Sequence, residues 1–401
     1  MPGPLLGVRV IDLSRVLAGP WATQSLADLG AEVIKIERPE TGDDTRSFAP
    51  FVKKEDGSAG ESIYFLSANR GKKSITIDLA RKEGQDLVRR LTDSADVVVE
   101  NYKVGNLAKF GLDYATLSAR NPRLIYCSIT GFGQTGPNRS RAGYDIVIQA
   151  VGGLMSITGE AGKPPMKSGV AIADILTGLY ATQAILAALY ERKTSGLGQH
   201  VDLALLDVQI AALANQGAEY LMTGEVPTRH GNAHGSIVPY QDFQTSDGRI
   251  IIAVANDSQF ARLAQIVGMP QLAADPKYRA NVERVRNRED LLPLLSARLA
   301  LRTSAEWISD LDREGIPTGA INSLDAVFSE SQIAARDLVV QYPGTETSQV
   351  RVVGSPVNLS RTPVSHSIPP PALGEHTDKI LTDLLNEDPA TIRKLHRDKI
   401  V

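Results

Sequence analysis

The most constraining feature of the chain is an alternation in its first half. Short apolar, β-branched runs take turns with segments of helical character. Val8–Leu13 reads as a buried strand and Trp21–Leu29 as a helix; Ala31–Glu37 follows as a strand, with Val33, Ile34 and Ile36 apolar. The spacing predicts a helix from Arg81 to Ser94, with Asp78 as its cap, then strands over Ala95–Glu100 and Arg123–Thr130. Continuous apolar strands separated by helices argue for an α/β fold whose mostly parallel sheet carries helices on both faces.

Further along, Ile175–Lys193 reads as a long apolar helix stopped by the turn cluster Thr194-Ser195-Gly196-Leu197-Gly198. His200–Leu206 reads as a strand and Asp207–Met222 as a helix. Composition changes near Gly224. Residues 224–247 hold few helix formers, Asp247-Gly248 reads as a hairpin turn into Arg249–Val254, and 257–315 read as short amphipathic helices. Pro343, Pro356, Pro363 and Pro369-Pro370-Pro371 mark extended chain, and Thr377–Leu385 is helical in pattern. These shifts divide the chain into a large N-terminal part (1–223), a small domain (224–330) and a C-terminal segment (331–401).

Composition narrows the function. A net charge of -3 gives no bulk attraction to nucleic acid or to a membrane surface. The lone Cys127 allows no intramolecular disulfide and no cysteine metal site, and its apolar strand predicts a buried, inert thiol. No secretory signal and no apolar run long enough to span a bilayer are expected. A reducing compartment fits: the cytoplasm of a bacterium, or the mitochondrial matrix if a transit peptide has been removed. No G-x-G-x-x-G loop, Walker A sequence or G-x-S-x-G elbow is present. His230, Asn232 and His234 lack a carboxylate at metal-site spacing, so a polar active-site loop is expected there and no metal.

Two features could carry chemistry. Asp174 lies where an extended segment meets the long apolar helix. It can be the cap that accepts the first free amides, or a carboxylate kept ionised by the helix N-terminus and used as a nucleophile. The basic loops Glu37-Arg38-Pro39, Asp43-Asp44-Thr45-Arg46 and Asn69-Arg70-Gly71-Lys72-Lys73, with Lys109, could hold phosphates or simply be solvated surface.

The ordered set of motifs resembles the class III CoA transferases, the family of formyl-CoA:oxalate and carnitine CoA transferases. Its markers are Asp12-Leu13-Ser14-Arg15-Val16-Leu17-Ala18-Gly19-Pro20, Gly30–Pro39, Gly42-Asp43-Asp44-Thr45-Arg46, Val99-Glu100-Asn101-Tyr102, Asp174 and Gly374-Glu375-His376-Thr377. Tyr126–Pro137 and His234–Gln241 make it look most like the succinyl-CoA:glutarate subgroup. The resemblance implies a Rossmann-like large domain built from both ends of the chain, a smaller inserted α+β domain, and two subunits interlocked as a homodimer. It places the nucleophile on Asp174 and the CoA contacts on Arg15, Val16, Ala18, Arg38, Ile77, Asn101, Tyr102 and Lys109.

The chain departs from oxalate-type members in three places. Arg15 and Leu17 replace a histidine and a glutamine, Ala142 replaces a lysine beside Arg141, and residues 230–236 replace a glycine-rich lid. The substrates implied are an acyl-CoA and a small carboxylic acid, with no tightly bound cofactor. Tyr144, Asp145, His234, Gly235 and Arg46 are candidate substrate contacts, Arg46 and His234 as cations for a far carboxylate. Two rivals share these features. An α-methylacyl-CoA racemase would use histidine before aspartate, where this chain has Tyr144-Asp145; a phenol stays protonated to about pH 10 and is a poor base. A non-catalytic CoA-binding protein is the other.

Overall fold

The alternating segments assemble into one six-stranded sheet in the computed structural model, which describes residues 3–54, 56–342 and 350–401; Pro343 lies outside them. From edge to edge the strands are Lys72–Thr76, Glu32–Glu37, Arg9–Asp12, Val97–Glu100, Ile125–Thr130 and His200–Ala204. Every neighbouring pair is parallel. Numbered along the chain, the order is 3-2-1-4-5-6, that of a doubly wound sheet whose direction reverses beside its first strand.

Both faces of the sheet are covered, which is why its central strands are largely apolar. Val10, Val33, Val97 and Val99 pack under the helices Ala18–Asp28 and Ile172–Ser195. Ile11, Ile34, Ile75 and Val98 pack on the other face under the helices Lys82–Asp93 and Thr377–Leu385. The two helices of the first face approach closely at Gly178, where an added Cβ would stand 2.8 Å from the Ala18 carbonyl oxygen.

The chain divides into two compact units. The first holds Met1–Leu154, Ser168–Met222 and Ala334–Val401; the second holds Met155–Lys167 and Thr223–Ile333. The short segment Met155–Lys167 therefore leaves the large unit, a detail that composition did not reveal. The second unit is built on an antiparallel sheet ordered Thr318–Ala320, Arg249–Ala253, Tyr240–Gln244. Short helices cover it through Phe260, Leu263, Leu291, Leu295 and Trp307.

Several local expectations change. Asp78 does not cap the helix that begins at Lys82; its Oδ1 accepts the Ala80 N–H (2.9 Å) in the turn before it, and Arg81 stands at the cap position. The basic run at 69–73 is not a surface loop. Lys72 opens the edge strand, is fully buried and pairs with Asp12 (3.1 Å), while Arg70 pairs with Asp28 (2.5 Å). Cys127 is fully buried, and burial pushes its thiol far above the usual range. The 24-residue helix Ile172–Ser195 is long and apolar enough to cross a membrane, contrary to the sequence expectation; here one of its faces, including Ala173, Thr177, Ala181 and Ile185, is buried in the unit.

Candidate active site

The site begins where the sheet order reverses. The strands Arg9–Asp12 and Val97–Glu100 are neighbours, and the chain leaves both at their carboxyl ends into one crevice, where doubly wound sheets bind ligands. Asn101 ties the two exits together. Its Oδ1 accepts the Arg15 N–H (2.9 Å) and its Nδ2 donates to the Arg15 carbonyl (2.7 Å). The Arg15 guanidinium sits 5.4 Å from the centre of the Tyr102 ring and pairs with Asp44 (2.7 Å). Val16 is held at φ 70°, a left-handed conformation that a β-branched residue adopts only under constraint. Beneath the loop, the buried Asp12 carboxylate takes Lys72 and the Thr23 hydroxyl (2.6 Å), and Lys35 bridges the Ser14 carbonyl (2.9 Å) and Asp43 (2.8 Å). Burial would raise Asp12; Lys72 and Lys35 outweigh it and hold the carboxyl at about 2.

A cavity of about 190 Å³ opens in this crevice, and Asp174 stands in its wall. The long helix starts at Ile172, three residues before the expected start, so Asp174 occupies its first turn and the cap position falls to Ala171. The capping carboxylate comes from elsewhere. Asp145, the first residue of the helix Asp145–Val151, accepts the Ala173 N–H (2.8 Å) and the Asp174 N–H (3.4 Å) through Oδ1, and Gln149 Nε2 through Oδ2 (2.6 Å). Among the described residues nothing donates a hydrogen bond to the Asp174 carboxylate. Burial, with the Asp145 charge adding to it, pushes Asp174 up to about 7. The helix N-terminus thus does not hold it in the ordinary carboxylate range, as the sequence suggested, because its nearest amides already serve Asp145.

The other candidates distribute unevenly. Arg15, Val16, Ala18, Asn101, Tyr102 and Tyr144 line the same cavity as Asp174. Arg38 and Ile77 line a smaller adjoining one that shares Arg15 and Tyr102, and Asp44 joins the two by pairing with both Arg15 and Arg38 (2.5 Å). Lys109 lines neither; it is exposed, and its Nζ reaches Asn106 (3.3 Å). Arg46 is withdrawn from the site. Its Nε and Nη2 form a two-pronged pair with Glu37 (2.7 and 2.8 Å), and its guanidinium stacks on Phe65 at 3.6 Å. So committed and so buried, it cannot serve as a cation for a substrate carboxylate. His234 and Gly235 belong to the second unit. There the His234 ring packs edge-on against Tyr240 (5.4 Å), its Nδ1 accepts the Ser236 N–H (3.1 Å), and the Gly235 carbonyl accepts from Arg288 (2.5 Å).

Arg139 and Lys103 line the cavity and escaped the sequence reading. Arg141, which the sequence left beside the replaced lysine as a candidate phosphate ligand, lines it too and lies 4.7 Å from the centre of the Phe132 ring. Among the described residues neither arginine has a carboxylate partner. Their loop leaves the carboxyl end of Ile125–Thr130, a strand already legible, so its exit was the available signal. Its two ends cross at Gly131 and Gly143, where an added Cβ on either would come within 2.7 Å of the other's Cα. Tyr64 is a further neighbour. Burial first, then the charges of Asp174 and Asp145, raise its hydroxyl above the ordinary range.

The profile of CoA-transferase family III matches residues 5–377. A succinate–glutarate CoA-transferase of Agrobacterium fabrum is 49% identical over 95% of this chain and 96% of its own. A succinyl-CoA:glutarate CoA-transferase of Mus musculus is 47% identical over 98% of this chain and 89% of its own. The crystal structure of a CAIB/BAIF family protein from Brucella suis superposes with a TM-score of 0.87 at 47% identity, covering 96% of this chain and all of that one. With the motifs, the doubly wound sheet and the switch-point cavity in agreement, the chain belongs to CoA-transferase family III.

Proposed function

We propose that this protein moves coenzyme A from succinyl-CoA to a second dicarboxylate such as glutarate, through covalent intermediates on Asp174. One observation carries the chemistry: a carboxylate with no hydrogen-bond donor among the described residues stands in the wall of a switch-point cavity beside the loops at Arg15 and Asn101. The relatives named above act on succinate or succinyl-CoA and glutarate, which supports the choice of acids.

An Asp174 oxygen attacks the donor thioester carbonyl, the C–S bond breaks, and CoA leaves as thiolate from a mixed anhydride. The thiolate attacks the aspartyl carbonyl, expelling the donor acid as carboxylate and leaving an aspartyl-CoA thioester. The acceptor carboxylate attacks that thioester, and CoA returns to it through a second anhydride, which regenerates Asp174. Each step exchanges one activated acyl group for another, so no ATP is consumed. Arg15, Val16, Ala18, Asn101 and Tyr102 would hold the coenzyme near the thioester, with Arg38 and Ile77 further along; its binding far from the reacting carbon supplies orientation. The amides of Ala173 and Asp174 are not free to stabilise an oxyanion, since Asp145 occupies them. With Arg46 committed to Glu37, Arg141 becomes the candidate cation for the far carboxylate: it is fixed by the Phe132 face and has no carboxylate partner among the described residues.

The large unit is Rossmann-like in this reading, and the protein works as an interlocked homodimer. Apolar side chains left exposed on the first unit, including Ile146, Tyr190, Ile210 and Leu221, support a second copy as their cover. The racemase alternative loses its acid/base pair, because Asp145 is engaged by three N–H groups. The test is to incubate the protein with succinyl-CoA and hydroxylamine and to map the adduct by mass spectrometry. A hydroxamate on Asp174, with transfer of CoA to glutarate in its absence, is expected; full turnover by an Asp174→Ala variant would overturn the proposal.

A further inference from the structure

We infer that Asp145 is a positioning residue for the Asp174 nucleophile: its carboxylate takes the first-turn amides of the Ile172–Ser195 helix and leaves the Asp174 carboxylate without them. The inference rests on the proposed role of Asp174 as nucleophile and goes beyond it, since it assigns Asp145 to the enzyme's own backbone and not to substrate.

The geometry is specific. A carboxylate in the first turn of a helix ordinarily gains from the free N–H groups there. Here the Asp145 Oδ1 stands 2.8 Å from the Ala173 nitrogen and 3.4 Å from the Asp174 nitrogen. Gln149, one turn along the helix of Asp145, donates to Oδ2 (2.6 Å) and accepts the Ser168 N–H (2.8 Å), so the carboxylate is clamped from both sides. Asp174 is left partly buried, with no donor among the described residues and a like charge behind it. Such a carboxylate is poorly solvated and correspondingly reactive. Acylation removes its charge, so the repulsion by Asp145 is present before the attack and relieved once the anhydride forms. The titratable and charged groups around Asp174 from the surrounding elements are Asp145 and Tyr64, the cations Arg15, Lys103, Arg139 and Arg141, and Asp44, Tyr102 and Tyr144 in the cavity lining. Burial and Asp145 both raise Asp174, in that order.

Two substitutions separate the amide contact from the charge. Asp145→Asn keeps an acceptor oxygen for the amides and removes the charge; Asp145→Ala removes both. The profile of kcat/KM for succinyl-CoA against pH reports groups of the free enzyme. The unsubstituted protein should lose activity below about pH 7, where Asp174 takes up its proton. In Asp145→Asn the acid limb should move to lower pH, with the high-pH plateau within roughly threefold of the original. In Asp145→Ala the limb should also move down, and the plateau kcat should fall by about tenfold or more, because the first turn is no longer held. Circular dichroism and a cooperative melt check that each variant is folded. An acid limb that stays in place in the folded Asp145→Asn protein would overturn the inference. So would a large rise in KM for the acceptor acid with an unmoved limb, which would make Asp145 a substrate contact. The nucleophile reading fails on different data: turnover or a missing hydroxamate at Asp174, neither of which depends on the Asp145 variants.

Discussion

Removing the charge of the nucleophile should make this protein more stable, and by an amount that depends on pH. The perturbation is Asp174→Asn, which is nearly isosteric and cannot ionise. In the folded state burial and Asp145 lift the Asp174 carboxyl from 3.8 to about 7. The sign follows from proton linkage. Between these two values the folded chain holds a proton that the unfolded chain has released, so stability falls as pH rises through this window and the loss is complete above it. The full shift corresponds to about 4 kcal/mol. Water reaching the carboxylate through the cavity mouth screens part of this, so a gain of about 2–4 kcal/mol is expected for the variant at about pH 8. Near pH 4.5 the gain should shrink to about 1 kcal/mol or less. Urea unfolding at both pH values measures it, followed by the fluorescence of Trp21, which lies in the first unit on the helix packed against that of Asp174. Turnover should be lost at either pH. A variant no more stable than the parent at pH 8, or equally stabilised at both pH values, would refute the claim that burial and Asp145 make the Asp174 anion costly in the folded state.

Three further outcomes follow from the same geometry. Asp12→Asn should destabilise the first unit by about 3–5 kcal/mol, measured by urea titration at neutral pH, because it leaves the buried Lys72 without its carboxylate, while Lys35 keeps Asp43. Arg141→Ala should raise KM for a dicarboxylate acceptor by about tenfold or more while leaving KM for a monocarboxylate of similar length nearly unchanged, in a coupled transfer assay. Gly131→Ala should both destabilise the protein and cut kcat, since its Cβ would lie 2.6 Å from the Gly143 Cα and force apart the two ends of the loop that carries Arg139 and Arg141.

The residues of the sheet were legible because a strand buried on both faces must be apolar throughout, and Val10-Ile11, Val33-Ile34 and Val97-Val98-Val99 carry that requirement in the chain itself. The strand Lys72–Thr76 was not, because its charged start reads as a loop until Asp12 is brought to it from 60 residues away. Arg46 shows the same limit from the other side. It has the composition of a ligand-binding cation, and only its pairing with Glu37 and stacking on Phe65 reveal that its charge is already used.

By itself, then, the sequence determined the α/β class, the family motifs and the identity of the acidic residue at the head of the long helix, since each is written in local spacing and residue type. Tertiary structure alone decided what state that acid is in. Its ionisation depends on burial, on a second carboxylate 29 residues away and on which of the two obtains the helix amides. Those are distances and solvent exposures, which no local pattern of side chains encodes.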